Sequence, residues 1–196
     1  MLPGKGLEPL YLGWVPWILL ASNTFGLVSL TGKGHNRFAN GQFLLFRANA
    51  YWELDPHAEV RSAVLEDVKI GRYLAAKHVK VETGLVGSIL SVRMYRDVRE
   101  AIDGMTKNSY EVTGSTAGSI GLALFLLALA WGWVFAPWTI CLLWAGKFTT
   151  DRAVRQPWWT WPFAPITATL AAVTFVRSTV WHRRGEVVWK GRVYRP

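Results

Sequence analysis

The sequence predicts a mixed α+β membrane protein: a small α/β part followed by transmembrane α-helices. Three observations predict this. Residues 116–136, TAGSIGLALFLLALAWGWVFA, contain no charge. A second apolar run, from about Trp158 to Trp181, has tryptophan at both ends. Ahead of both, between residues 41 and 108, short apolar runs bounded by turn residues alternate with stretches of helical periodicity.

The totals agree with that class. The chain has 196 residues, 51% hydrophobic, with 12 Trp and a net charge of +9. Lys and Arg lie just outside the apolar stretches, the pattern of a membrane protein facing anionic lipid. They are not interleaved with aromatics in a groove-like segment, so no nucleic-acid partner is expected. The single cysteine, Cys141, excludes an intrachain disulfide and a cysteine-based zinc site. Its apolar neighbours predict a buried, inert thiol.

Residues 1–35 form the first segment. LYLGWVPWILLASNTFGLVSL, residues 10–30, is apolar but interrupted by Gly13, Pro16, Ser22, Asn23 and Gly26. Breakers inside lipid need partners. The segment is therefore expected at the membrane interface, with Trp14 and Trp17 at headgroup level; a span remains the alternative.

Residues 36–113 carry the predicted α/β part. Gly41 to Arg47 reads as a buried strand. ANAYWEL reads as a short helix ended by Asp55-Pro56, because the residue before proline avoids the helical region. Ser62 is the expected N-cap of a helix whose apolar positions Val64, Val68, Leu74 and Ala75 share a face. Val79–Glu82 and Leu85–Val92 read as strands. Met94, Val98, Ile102 and Met105 recur at helical spacing, opposite a charged face.

Residues 114–181 form the membrane region. At 1.5 Å per residue, 116–136 covers roughly 30 Å, enough for a crossing. The second span covers 158–181, and Arg177 near its end can snorkel. After Pro137 a further apolar element, 137–147, is too short to span alone. It extends the first helix past a kink, or re-enters, or makes a third crossing. KFTTDRAVRQP reads as a polar loop. Residues 182–196 are a basic tail, which the positive-inside rule assigns to the cytoplasm. Two crossings put the soluble part on the same side, giving a multi-pass cell-membrane protein.

Glu66 and Asp67 stand side by side at the start of the 62–78 helix. First-turn acids are ordinarily there because the helix macrodipole favours them. Their company suggests more. NGQFLLFRANAYWEL, then VLEDVKIGRYL, then RMYRDVREAIDGMTKN, then a spanning pair, then VVWKGRVY resembles, in that order, the C-terminal half of membrane-anchored family 2 glycosyltransferases. These are inverting enzymes of the GT-A type and include the group associated with hopanoid and carotenoid biosynthesis. The resemblance covers residues 36–110 and the tail.

The resemblance implies a partial GT-A-like half-domain at 36–113 and a role for several residues. Asp67 corresponds to the base that takes the proton from an acceptor hydroxyl as it attacks the sugar, with Glu66 beside it. Asn40, Gly41 and Gln42 match the element beside the acceptor, where glycine allows close backbone approach. Arg93 resembles an arginine at the membrane-side mouth, suited to a diphosphate or lipid headgroup. Trp189, Lys190 and Arg192 resemble the terminal motif: two cations for phosphate and a tryptophan for the interface. The family has Gly-Gly-His where this chain has Asp55-Pro56-His57, and His57 reads as structural. No Asp-x-Asp motif is present. The resemblance therefore implies that no cofactor is held by this chain alone. A divalent metal, Mg or Mn, and the nucleotide-sugar are expected only with a complementary N-terminal half, such as a partner chain carrying an Asp-x-Asp domain. Membrane lipid is the other expected partner. The alternative reading is a non-catalytic, truncated relative acting as a membrane interaction or anchoring protein.

Overall fold

A computed structural model of the chain describes residues 6–21, 39–61, 63, 65–81, 92–185, 187–189 and 192–194. The chain divides into two units: Leu19–Leu85, and Met1–Ile18 together with Val86–Pro196.

The Leu19–Leu85 unit is helical where it is described. Its helices are α3, Ala48–Leu54, α4, Pro56–Glu59, and α5, Glu66–Ala76. Ala39, Val60, Ala63, Ile70 and Leu74 form its core, with Leu44, Phe46, Leu54, Tyr73, Val79 and Val81 packed against them. Helix α3 ends at Asp55 as the sequence predicts, but by a different device. Asp55 takes the left-handed conformation at φ 36°, its N–H bonds the Tyr51 carbonyl, and Pro56 starts the next helix. Helix α5 begins at Glu66, with Leu65 rather than Ser62 in the cap position; Ser62 and Val64 lie outside the described residues. Val68, Ile70, Gly71 and Leu74 form its buried face.

The α/β expectation is corrected here. The described residues are mostly helical, and their strands are confined to the tail hairpin. Gly41 and Gln42 lie in a turn, and residues 43–47 then alternate, with Phe43 and Leu45 outward and Leu44 and Phe46 inward. That is the period of a strand, but among the described residues no neighbouring strand pairs with it. Alternation reports a half-buried extended chain; a strand also needs a ladder. Residues 79–81 are likewise not a strand, and the strand expected at Leu85–Val92 lies outside the described residues apart from Val92. The partial GT-A-like half-domain is therefore not what these residues form.

The other unit is a helical bundle. It contains α1, Glu8–Leu12, the first part of α2, Trp14–Ala21, and α6, Val98–Thr113. Then come α7, Thr116–Trp131, α8, Thr139–Ala153, and α9, Ala164–Arg183. A 3-10 turn at Gly132–Val134 follows α7, and another at Trp158–Phe163 leads into α9. Helices α6, α7 and α9 pack on one another, and α1 packs on α6 and α9.

Local chemistry sets these boundaries. Asp97 caps α6 by accepting the Glu100 N–H at 2.9 Å, so the helix starts after Met94 and Tyr95. Gly114, at φ 69°, ends it in the left-handed conformation. Ser115 then caps α7 through the Gly118 N–H at 3.0 Å. The regions Thr116–Val134 and Trp158–Arg183 are each long and apolar enough to cross a membrane.

The core joins Tyr11, Leu12, Trp14, Met105, Leu126 and Phe175 with small residues that let helices approach closely: Ala101, Ala123, Ala171 and Ala172. Trp14 is buried here, its ring 5.8 Å from that of Phe175. It faces protein rather than lipid headgroups, which corrects the interfacial role read from the sequence. Three buried threonines at seven-residue spacing add polar ties along the path into α9. Thr160 reaches Asp151, Thr167 reaches the Leu10 carbonyl at 3.3 Å, and Thr174 bonds the Tyr11 hydroxyl at 2.8 Å. The tail is a hairpin: β1, Val187–Trp189, pairs antiparallel with β2, Arg192–Tyr194.

Candidate functional site

Two of the segments singled out in the sequence, Asn40–Gln42 and Glu66–Asp67, meet in the structure. Asn40 closes an Asx turn: its side-chain oxygen accepts the Gln42 N–H at 3.1 Å, and its carbonyl accepts the Phe43 N–H at 3.2 Å. That turn presents the Gly41 N–H outward, and Asp67 Oδ2 accepts it at 2.7 Å. Asp67 Oδ1 accepts the Val68 N–H at 2.9 Å. A Cβ on Gly41 would lie 3.2 Å from Asp67 Oδ2, so the missing side chain is what lets the turn lie against the carboxylate. Glu66, one position earlier, is exposed and faces outward.

Chemically, a carboxylate has about four lone-pair sites. Two on Asp67 are used by backbone N–H groups. The remaining two can accept a hydroxyl, and Asp67 is only half-buried, so a hydroxyl can approach. His57 is engaged structurally: its Nδ1 lies 3.1 Å from the Tyr51 hydroxyl, and its ring packs near Phe46 and Tyr51.

Arg93 belongs to the bundle unit and is a clamp. Its Nε donates to the Tyr95 carbonyl at 3.1 Å and its Nη2 to the Arg96 carbonyl at 3.2 Å. The same Nη2 lies 3.6 Å from Glu8 Oε2, close enough for ion pairing but too far for a hydrogen bond. Glu8 is buried, and that oxygen accepts no hydrogen bond. The guanidinium thus joins α1 to the segment before α6. The backbones of Trp189 and Arg192 pair in the hairpin register, and Lys190 lies outside the described residues.

Sequence reasoning missed a buried ion pair, Lys147 and Asp151. The stretch read as the polar loop KFTTDRAVRQP is mostly the last half of α8, which runs to Ala153. Lys147 is 0% exposed and Asp151 is 3% exposed. Lys147 Nζ donates to both Asp151 oxygens, at 2.5 and 2.6 Å, and Thr160 Oγ1 donates to Asp151 Oδ2 at 2.8 Å. Gly13 makes room for the ammonium; a Cβ there would sit 3.0 Å from Lys147 Nζ. Burial pushes the lysine below its ordinary range, opposed by the bond and charge of Asp151. The available signal was the four-residue Lys–Asp spacing directly behind a stretch, Val112 to Gly146, that carries no charge at all. Cys141, expected to be buried, is exposed on α8.

Among the described residues, no group of three or more His, Cys, Asp and Glu could hold a metal ion. The divalent ion expected with a donor-binding half has no ligand set among them. No protein-family model, curated protein or solved structure matches the chain.

Proposed function

We propose that the chain is a multi-pass membrane protein that serves the acceptor side of a glycosyl transfer, with Asp67 as the base. The acceptor hydroxyl bonds a free lone pair of Asp67. As its oxygen attacks the sugar C1, the O–H proton passes to the carboxylate. The bond from C1 to the nucleoside diphosphate breaks, and that group leaves with the electron pair. Gly41 holds Asp67 in place through its N–H, and Glu66 borders the approach. The donor is held by a complementary domain. The basic residues after Trp181 favour a cytoplasmic tail, and two crossings bring the site to the same side.

The observation that carries this reading is the 2.7 Å bond joining the Asn40–Gln42 turn to the Glu66–Asp67 helix start across 26 residues of chain. The test is transfer of labelled sugar to membrane lipid when the chain is expressed with an Asp-x-Asp donor domain. Asp67→Asn is expected to lower transfer by about 10²- to 10⁴-fold, the usual contribution of a general base. Glu66→Gln is expected to retain most of it. Unchanged transfer by a folded Asp67→Asn protein would remove the base assignment.

A second reading, a non-catalytic membrane interaction or anchoring protein, is favoured by one observation. Both Asp67 oxygens already serve backbone N–H groups, which is what an architectural clamp requires. On this reading the purified chain shows no metal-dependent binding of a nucleotide-sugar, and specific binding measured by calorimetry counts against it.

A further inference from the structure

Helix α8 is inside out. Trp138, at its N-terminal cap, and Cys141, Leu142, Ala145 and Phe148 fall on one face and are exposed. The opposite face, Leu143, Lys147, Thr150 and Asp151, is buried. A helix on a water-facing surface has the reverse arrangement, charges outward and apolar residues inward. Here the only two charges between Val112 and Asp151 are turned inward and paired. Such a helix is at rest only where its outer surroundings are apolar and an unpaired charge would be costly.

Length and attachment say how it lies. Fifteen residues make about 22 Å of helix, short of the roughly 30 Å hydrocarbon core. Both ends of α8 are fastened to the same end of the α7–α9 pair. Its start follows the 3-10 turn that closes α7, where the Thr139 N–H bonds the Ala136 carbonyl at 2.9 Å. Its finish is fastened by Asp151 to Thr160, in the turn that opens α9. Trp131 Nε1, at the end of α7, bonds Thr169 near the start of α9 at 3.1 Å, so those ends are level. Trp144 Nε1 bonds the Pro162 carbonyl at 3.1 Å from α8 itself. Arg152 and Arg155, just at and beyond the helix end, are exposed and within reach of anionic headgroups.

We infer that α8 lies flat in one membrane interface, its Trp138–Phe148 face toward the acyl chains and its Lys147–Asp151–Thr160 cluster turned to the protein. The occupant of that face is lipid. The inference rests on the membrane reading above, and the experiment separates the two.

Cys141 is the natural probe, being the only cysteine and standing on the lipid face. The full chain, labelled there with bimane, is placed in phosphatidylcholine–phosphatidylglycerol vesicles containing nitroxide lipids of different depth. A helix buried 5–10 Å into the boundary predicts shallow-chain nitroxides quenching roughly twofold more than deep ones. Iodide should quench this probe weakly and a probe at Arg155→Cys, in a Cys141→Ser background, strongly. Deep nitroxides should quench best at Phe125→Cys in the same background, since Phe125 is exposed on α7. Iodide quenching at Cys141 equal to that at 155, or deeper quenching at Cys141 than at Phe125, overturns the flat placement. Loss of nitroxide quenching at Phe125 as well overturns the membrane reading itself.

Discussion

Two aspartates in this chain each have two partner groups on the carboxylate, with opposite consequences. Asp67 is half-buried and receives two backbone N–H groups, one of them its own helix start. Asp151 is 3% exposed and receives an ammonium and a hydroxyl. Water stands in for most of what Asp67 would lose. Nothing stands in for Asp151, because removing it leaves the Lys147 charge buried without a counter-charge. The comparison shows that the surroundings of a carboxylate, more than the number of its bonds, decide what it is worth.

The largest expected effect tests that statement directly. Asp151→Ala should destabilise the detergent-solubilised chain by about 3–5 kcal/mol, the usual result of breaking a buried pair from one side. The double change Lys147→Met, Asp151→Leu should recover most of the loss in thermal unfolding. If the double variant unfolds as early as the single one, the charge argument is wrong and packing alone explains the site.

Next in size is a pH effect on Tyr11. Burial pushes its phenol up to about 12, partly offset by the bond from Thr174. A raised phenol favours the protonated form in the folded state. Its contribution is full below pH about 10 and disappears as pH rises through about 12, which for a two-unit shift is about 2–3 kcal/mol. Tyrosinate absorbance followed beside helix content should show the buried phenols of Tyr11 and Tyr95, both raised by burial, titrating together with loss of structure. Tyr11→Phe should remove its own share of that coupling.

Smaller again is Asp67→Ala, expected at about 1–2 kcal/mol for two lost bonds at a half-buried helix start. Amide exchange at Gly41 should accelerate while exchange in α9 stays unchanged. The smallest effect belongs to Arg177 and Asp103, 2.8 Å apart but each more than a third exposed. Asp103→Asn should change stability by less than about 1 kcal/mol. Arg177 also stacks over Trp181 at 4.7 Å, so it does not merely snorkel.

What the sequence disclosed follows the same division. Both long apolar stretches were legible because composition alone decides that signal, and helix α6 was legible from Met94, Val98, Ile102 and Met105. The α3 end at Asp55 was visible in the Asp-Pro pair. Asn40–Gln42 and Asp67 were singled out separately by the resemblance; the bond between Gly41 and Asp67 spans 26 residues of chain and leaves no local trace in the sequence. The supposed strand at 41–47 failed because periodicity cannot say whether a partner strand exists. Lys147 and Asp151 were hidden because polar residues in a row read as loop, and a pair that neutralises itself inside a bundle leaves the local composition unchanged. Cys141 misled for the complementary reason: apolar neighbours on an inverted helix point outward.

The threonine ladder has a bearing on biogenesis. Tyr11 and Thr174 are 163 positions apart, so the first helix is made well before the surface that receives it. At ordinary elongation rates the interval is on the order of ten to thirty seconds. Glu8 can meet Arg93 about halfway through that interval, whereas Trp14, which packs on Phe175 in the finished bundle, has no seat until α9 is made.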